Sequence, residues 1–278
     1  MQSKKANEDV SPDLKVRPSV SATSPESLWN ERFLWGLGLI QASINDQISN
    51  RKKHRMSKAS TWNSSQSMSI TQAFLIHLIC GLGLAVGICV AHNVYSINLI
   101  SHPSHTLCLI LAVETPIVIL LYSCFRQNPD KCSYLKAVVR AILGLSVGAL
   151  ISALGAIALG APVGIQYLLK TINWSLLISL FTCVPAASVF GSSWADWQRI
   201  FAHTKPNRSI EYMICIPAHT AIIGAWFGAW PMPLDWEKPW QEWPICVSYG
   251  AMVGYLVGIV ASLGLAIVRG RKQHHKGD

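Results

Sequence analysis

The sequence predicts an all-α, polytopic membrane protein with six transmembrane helices and both termini in the cytosol. Three observations carry that prediction. First, 51% of the 278 residues are hydrophobic and only 13% are Asp, Glu, Lys or Arg, against roughly 25% charge in a soluble domain; mean hydropathy is +0.33. Second, residues 59–113, 141–169, 171–195, 212–234 and 243–268 contain no charged side chain at all. A helix rises 1.5 Å per residue, so ~20 apolar residues cross the ~30 Å hydrocarbon layer, and each stretch holds at least one crossing. Third, Lys and Arg alternate between rich and poor connections. A soluble enzyme and a disordered chain are both excluded.

Taken in order, residues 1–69 are rich in Ser, Asn and Lys, with Pro12, Pro18 and Pro25 among them. Such a segment buries too little apolar surface to offset the entropy of ordering, so a mostly disordered, basic cytosolic tail is expected. Within it, residues 33–44 (FLWGLGLIQASI) are too short to span and are expected to lie in the interface as an amphipathic helix. No secretory signal is recognisable, and the first span is expected to act as an uncleaved targeting signal. Six spans follow, at 70–92, 105–125, 138–160, 172–193, 210–230 and 245–268, together forming a membrane domain over 70–268. A short basic tail at 269–278 closes the chain.

The connections fix the orientation. The first has no Lys or Arg, the second has Arg126, Lys131 and Lys136, and the third has only Lys170. The fourth has Arg199, Lys205 and Arg208, and in the fifth Lys238 is outweighed by Asp235, Glu237 and Glu242. Positive charge resists translocation, so both tails face the cytosol and connections 1, 3 and 5 lie on the far side. The acceptor sequence Asn207-Arg208-Ser209 then stays unglycosylated. The net charge of +9 belongs to this topology and not to a nucleic-acid surface, because no basic and aromatic stripe accompanies a soluble module. Most of the eight cysteines sit in or beside apolar runs without zinc spacing, as small hydrophobes do.

Two spans carry rows of small residues four apart. Gly144, Gly148, Ser152, Ala156 and Gly160 line one face of span 3, and Gly250, Gly254, Gly258, Ser262 and Ala266 one face of span 6. Missing side chains let another helix approach closely, either from this bundle or from a partner. Glu114 lies inside span 2, where an ionisable group is costly, with His77 in span 1 and His219 in span 5 as candidate partners. It fits a structural hydrogen bond or proton-coupled transport. Pro116, Pro185 and Pro217 interrupt three spans, as fixed kinks or hinges.

The far-side segment from Gly224 to Pro244 is the most unusual. Pro231, Pro233, Pro239 and Pro244 restrict the backbone. Trp230, Trp236, Trp240 and Trp243 suit the lipid–water boundary, and Asp235 is expected to satisfy loop backbone donors. With Leu234, these residues make a stiff surface for a partner or a lipid headgroup. His102 and His105, with Asp235, Glu237 and Glu242, could be drawn as a metal site, but a stiff loop accounts for them better and no nucleophile accompanies them. No cofactor is expected.

The stretch PMPLDWEKPWQEWP resembles the signature of the phosphatidylinositol-glycan biosynthesis class F family. GAWFGA at 224–229, LGAP at 159–162 and FTCVP at 181–185 are similar to further landmarks of that family, and Trp197 to Phe201 falls where it has a Trp and Phe segment. The resemblance covers about 70–268 and implies a multi-pass protein of the endoplasmic-reticulum membrane. It further implies a non-catalytic subunit that binds and stabilises the catalytic subunits of GPI ethanolamine-phosphate transferases. Those partners would carry out transfer to mannoses of the GPI-anchor precursor, with membrane lipid, including that precursor, as a further partner. The alternative is a small lipid or headgroup carrier using Glu114 and the Pro-kinked spans.

Overall fold

A computed structural model of the protein describes residues 69–127, 129 and 132–274. The predicted tail to residue 68, its interfacial helix at 33–44 and residues 275–278 lie outside the described residues. Six long helices make up the rest: α1 (Ile70–Asn93), α2 (Pro103–Cys124), α3 (Tyr134–Ala158), α4 (Ile165–Phe190), α5 (Ser209–Ala229) and α6 (Ile245–His274). Each contains a stretch long and apolar enough to cross a membrane. The protein is a multi-pass, six-span helical bundle, without strands among the described residues.

Local chemistry sets the helix ends. Ser69 caps α1 by accepting from the Thr71 amide, while Gln72 Oε1 accepts from the Ser69 amide, a reciprocal capping box. Pro103 opens α2 at a first-turn position, where its missing N–H costs nothing. The largest departure from prediction is α4, which begins at Ile165 and not near 172. Lys170 marked a boundary in the sequence, but its ammonium lies over the Tyr167 ring, 5.3 Å from the centroid, and reaches Glu242 at 2.6 Å. Residues 269–274 of the predicted short basic tail continue a helix. The backbone of α6 stays helical through His274, because hydrocarbon excludes charge but a helix does not.

The most buried helix, α4, lies at the centre. Around it, α3 packs on α4 and α2, α2 on α1 and α4, and α5 on α6 and α4; α6 also meets α1. Contacts between distant parts of the chain define the two ends. At one, Asn173 Nδ2 donates to the Ser104 carbonyl, and Trp243 Nε1 to Thr171 Oγ1. At the other, the Gln127 amide donates to Val189 O and its side chain to Asp196.

Both small-residue rows meet helices of this chain. A Cβ on Gly144 would stand 2.5 Å from Ala187 Cβ, and one on Gly148 would meet Ser179 and lie 2.7 Å from Cys183. Ser179 Oγ donates to Leu145 O at 2.8 Å, so α3 and α4 share a polar contact there. Ser152 is half-buried further along α3. Gly160 is a correction: it lies past the end of α3 with φ 100°, a conformation suited to glycine, and no atom lies within 4 Å of where its Cβ would be. It ends a helix; it does not pack one.

The α6 row is tighter. Gly250 and Gly254 lie against the backbone of Gly224 and Thr220, and Gly258 against Pro217. Residues 220, 224 and 228 of α5 thus form a reciprocal row, with Gly228 against Cys246. Ser262 lies at the same spacing but faces α1, where its hydroxyl meets His77 Nε2 at 2.8 Å. Gly144, Gly148, Gly250, Gly254 and Gly258 thus pack within this chain.

Candidate functional site

Glu114 is fully buried in α2, and neither carboxyl oxygen has a hydrogen-bond partner. It fits a notch left by Gly83 of α1, where a Cβ would collide with its Oε2. The two expected partners do not meet it. His77 pairs with Ser262, and His219 Nδ1 lies 2.6 Å from the carbonyl of Cys215 on its own helix, beside the Phe201 ring. No relay connects the three groups. His102 and His105 contact each other edge-on with ring centres 6.1 Å apart. Among the described residues, no three His, Cys, Asp or Glu side chains come together as a metal site.

The segment 230–244 folds on itself. After α5, Met232 N donates to Ala229 O, Leu234 N to Pro231 O, and Trp236 N to Leu234 O. Glu237 takes φ 48°, and a 3-10 turn follows at Pro239–Gln241. The fastening residue is Gln241, which is 8% exposed. Its Nε2 donates at 2.7 Å to both Pro231 O and Leu234 O, and its Oε1 accepts from Lys238 N at 2.9 Å. One amide thereby ties both arms of the loop together. The sequence assigned such a task to Asp235, but that residue is exposed and takes no part. No local pattern marks Gln241, since its role depends on which carbonyls the chain brings to it.

The loop is also tied down to the bundle. Trp243 is buried, donates to Thr171 and packs against Trp174 with ring centres 5.1 Å apart. Glu242 pairs with Lys170 at 2.6 Å. Pro244 is buried, Pro231 and Trp240 are half-buried, and Trp240 meets Trp236 edge-on. The predicted contact set therefore divides. Trp243 and Pro244 are buried and anchor the loop to the bundle, so they do not belong to its outward surface. Pro233, Leu234, Asp235, Trp236 and Pro239 face outward.

The opposite end carries a polar cluster that the charge pattern did not reveal. A short helix at Trp194–Trp197 runs into a π-helical turn at Gln198–Ala202. Glu211, fully buried, accepts from Arg199 at 2.8 Å, Arg208 at 2.6 Å and the Asn207 amide at 2.8 Å. Arg199 also pairs with Asp196 at 2.6 Å. These arginines, read from sequence as topology signals, also hold the fourth connection against α5.

The profile of the GPI biosynthesis protein family Pig-F matches residues 82–263. The chain belongs to the Pig-F family. A human protein, "GPI ethanolamine phosphate transferase, stabilizing subunit", is 31% identical over 211 residues, which cover 73% of this chain and 95% of the human protein. A mouse protein of the same name is 40% identical over 114 residues, 41% of this chain and 51% of its own. "Glycosylphosphatidylinositol anchor biosynthesis protein 11" of Yarrowia lipolytica is 32% identical over 110 residues, 40% of this chain and 47% of its own. No solved structure matches the chain. The Pig-F match takes in Glu114, the fastened loop and most of both small-residue rows, and stops short of residues 1–81.

Proposed function

We propose that this Pig-F chain is a non-catalytic subunit that binds and stabilises the catalytic subunit of a GPI ethanolamine phosphate transferase. The observation that carries the proposal is the similarity to the human stabilizing subunit along 95% of that protein. The chain works in the endoplasmic-reticulum membrane, with both termini in the cytosol and the 230–244 loop in the lumen, as the alternation of basic residues indicates.

Packing of Gly144, Gly148, Gly250, Gly254 and Gly258 inside the bundle favours the outward loop surface of Leu234, Asp235 and Trp236 as the docking contact. Leu234 is 41% and Trp236 54% exposed on a backbone fastened by Gln241. A preorganised aromatic surface loses little entropy on binding, which suits a stable docking contact. The carrier alternative finds less support, because Glu114 is fully buried against Gly83 of α1 and meets neither His77 nor His219.

Purification of the tagged chain from cells in mild detergent tests the proposal. The transferase catalytic subunit should copurify with the native chain and be depleted when Leu234 and Trp236 are both changed to Ala. Equal recovery with both chains would refute the loop as the docking surface. Absence of the catalytic subunit from both would refute the subunit role.

A further inference from the structure

A cavity of about 570 Å³ opens beneath the fastened loop. Its floor is Trp174 and Ile178 of α4, its walls are Ala156 of α3 and Ala225 of α5, and Met232 of the loop roofs it beside Trp243. Both α3 and α5 pack on α4 and not on each other, and Gly155 and Gly160 have nothing within 4 Å of a Cβ. Its remaining border is Leu159, Ile222 and Trp226, exposed by 85%, 48% and 65%. Those residues end or belong to membrane-spanning helices, so the cavity opens sideways toward lipid and not only toward water.

We propose that this cavity is a lipid site, holding one acyl chain of a zwitterionic glycerophospholipid drawn from the adjacent leaflet. The lining fits such a chain, being formed mostly by apolar side chains. Size also discriminates. One turn of helix with side chains fills roughly 400–600 Å³, so a partner's helix could insert no more than a single turn. An apolar cavity of ~150 Å³ takes one benzene, or ~25 Å³ per carbon. At that ratio the space accepts on the order of 20 carbons, the scale of one acyl chain.

The loop residues that follow the roof carry both signs of charge, which complements a zwitterionic headgroup. Asp235, Glu237 and Lys238 follow directly on the roof, are exposed, and form no ion pair among the described residues. A zwitterionic headgroup offers an ammonium to the two carboxylates and a phosphate to the lysine. Trp226 and Trp230 stand exposed at the same end, suited to the lipid–water boundary. The site needs no transferase partner, so it stands or falls separately from the proposed function.

The test uses the full chain in dioleoylphosphatidylcholine vesicles doped with a phosphatidylcholine that carries a diazirine near the end of one acyl chain. After irradiation, labelled peptides are mapped by mass spectrometry. Label is expected on Ile178 and Met232 as well as on the outer face of α3 at Leu150 and Ile151. Ile178 is 6% exposed, so a chain that stays in bulk lipid does not reach it. Ala225→Trp and, independently, Ala156→Phe fill the space from opposite walls and should remove the label from Ile178 and Met232 while sparing Leu150. Ile151→Trp, on the outer face, should leave the cavity label intact. Label confined to outward faces of the native chain would overturn the proposal, whether or not either variant folds. So would cavity label that persists in both folded variants. A phosphatidylglycerol version of the probe lacks the ammonium and should label the cavity less; equal labelling would overturn the choice of headgroup.

Discussion

Replacing Gln241 with Leu tests how the loop keeps its shape. The change preserves size and removes three hydrogen bonds, two donated to Pro231 O and Leu234 O and one accepted from Lys238 N. A neutral hydrogen bond contributes about 1 kcal/mol net, so three contribute about 3 kcal/mol. Leu234 is exposed and Pro231 half-buried, so water can reach their carbonyls, which lowers the loss to about 2 kcal/mol. That corresponds to an opening equilibrium raised roughly 30-fold, at a factor of ten per 1.4 kcal/mol. Hydrogen exchange of the protein in lipid nanodiscs reads it directly. The amides of Leu234, Trp236 and Gln241, which are bonded within the loop, should lose protection by about that factor. Amides in the middle of α4 should not change. Unchanged exchange across 231–242 would refute Gln241 as the fastening, and equal losses throughout the spans would show a general unfolding instead.

The other predictions concern packing, charge and topology. Gly254→Leu drives a side chain into the Thr220 carbonyl and the Gly224 Cα and should cost about 3 kcal/mol or more, since backbone cannot move aside as a side chain can. Gly155→Leu, with open space around it, should leave the melting temperature in detergent nearly unchanged; equal losses for the two would contradict the assigned packing. Glu211→Gln leaves Arg199 and Arg208 facing a neutral amide. Because those arginines are 30% and 19% exposed, the loss should be roughly 2 kcal/mol, below the 3–5 kcal/mol of a fully buried broken pair. Limited proteolysis should then cut faster at 203–207, and unaltered cleavage would argue against Glu211 as the organiser. Asn207 should carry no glycan, so a glycosidase-sensitive mobility shift that Asn207→Gln removes would invert the orientation.

The bundle was legible in the sequence because charge is expensive in hydrocarbon: six charge-poor runs became α1 to α6. Their ends were less legible wherever a charged residue belongs to a helix. Lys170 continues α4 with its ammonium over the Tyr167 ring and paired with Glu242, and Arg269 and Lys272 continue α6 beyond the apolar part. Regular spacing exposed the rows on α3 and α6. Their partner row on α5 was concealed, since Gly224 and Gly228 flank Trp226 and Phe227 in GAWFGA and Thr220 is not a conspicuous small residue. The Trp- and Pro-rich loop stood out by composition, but the division between anchors and outward surface depends on contacts with Thr171, Trp174 and Lys170, which lie some 70 residues away. Gln241 and the cavity are wholly tertiary. One is defined by carbonyls brought together by the loop, the other by residues of α3, α4 and α5 that border it together.

The most direct test of the subunit role is the amount of transferase catalytic subunit in cells deprived of this chain. Stabilisation by mass action predicts that the catalytic subunit falls when its partner is absent. Re-expression of the native chain should restore it, and re-expression of the Leu234 and Trp236 double alanine variant should not, despite equal abundance of that variant. A catalytic subunit that stays at its normal level without this chain, while ethanolamine phosphate transfer stops, would contradict the stabilising role.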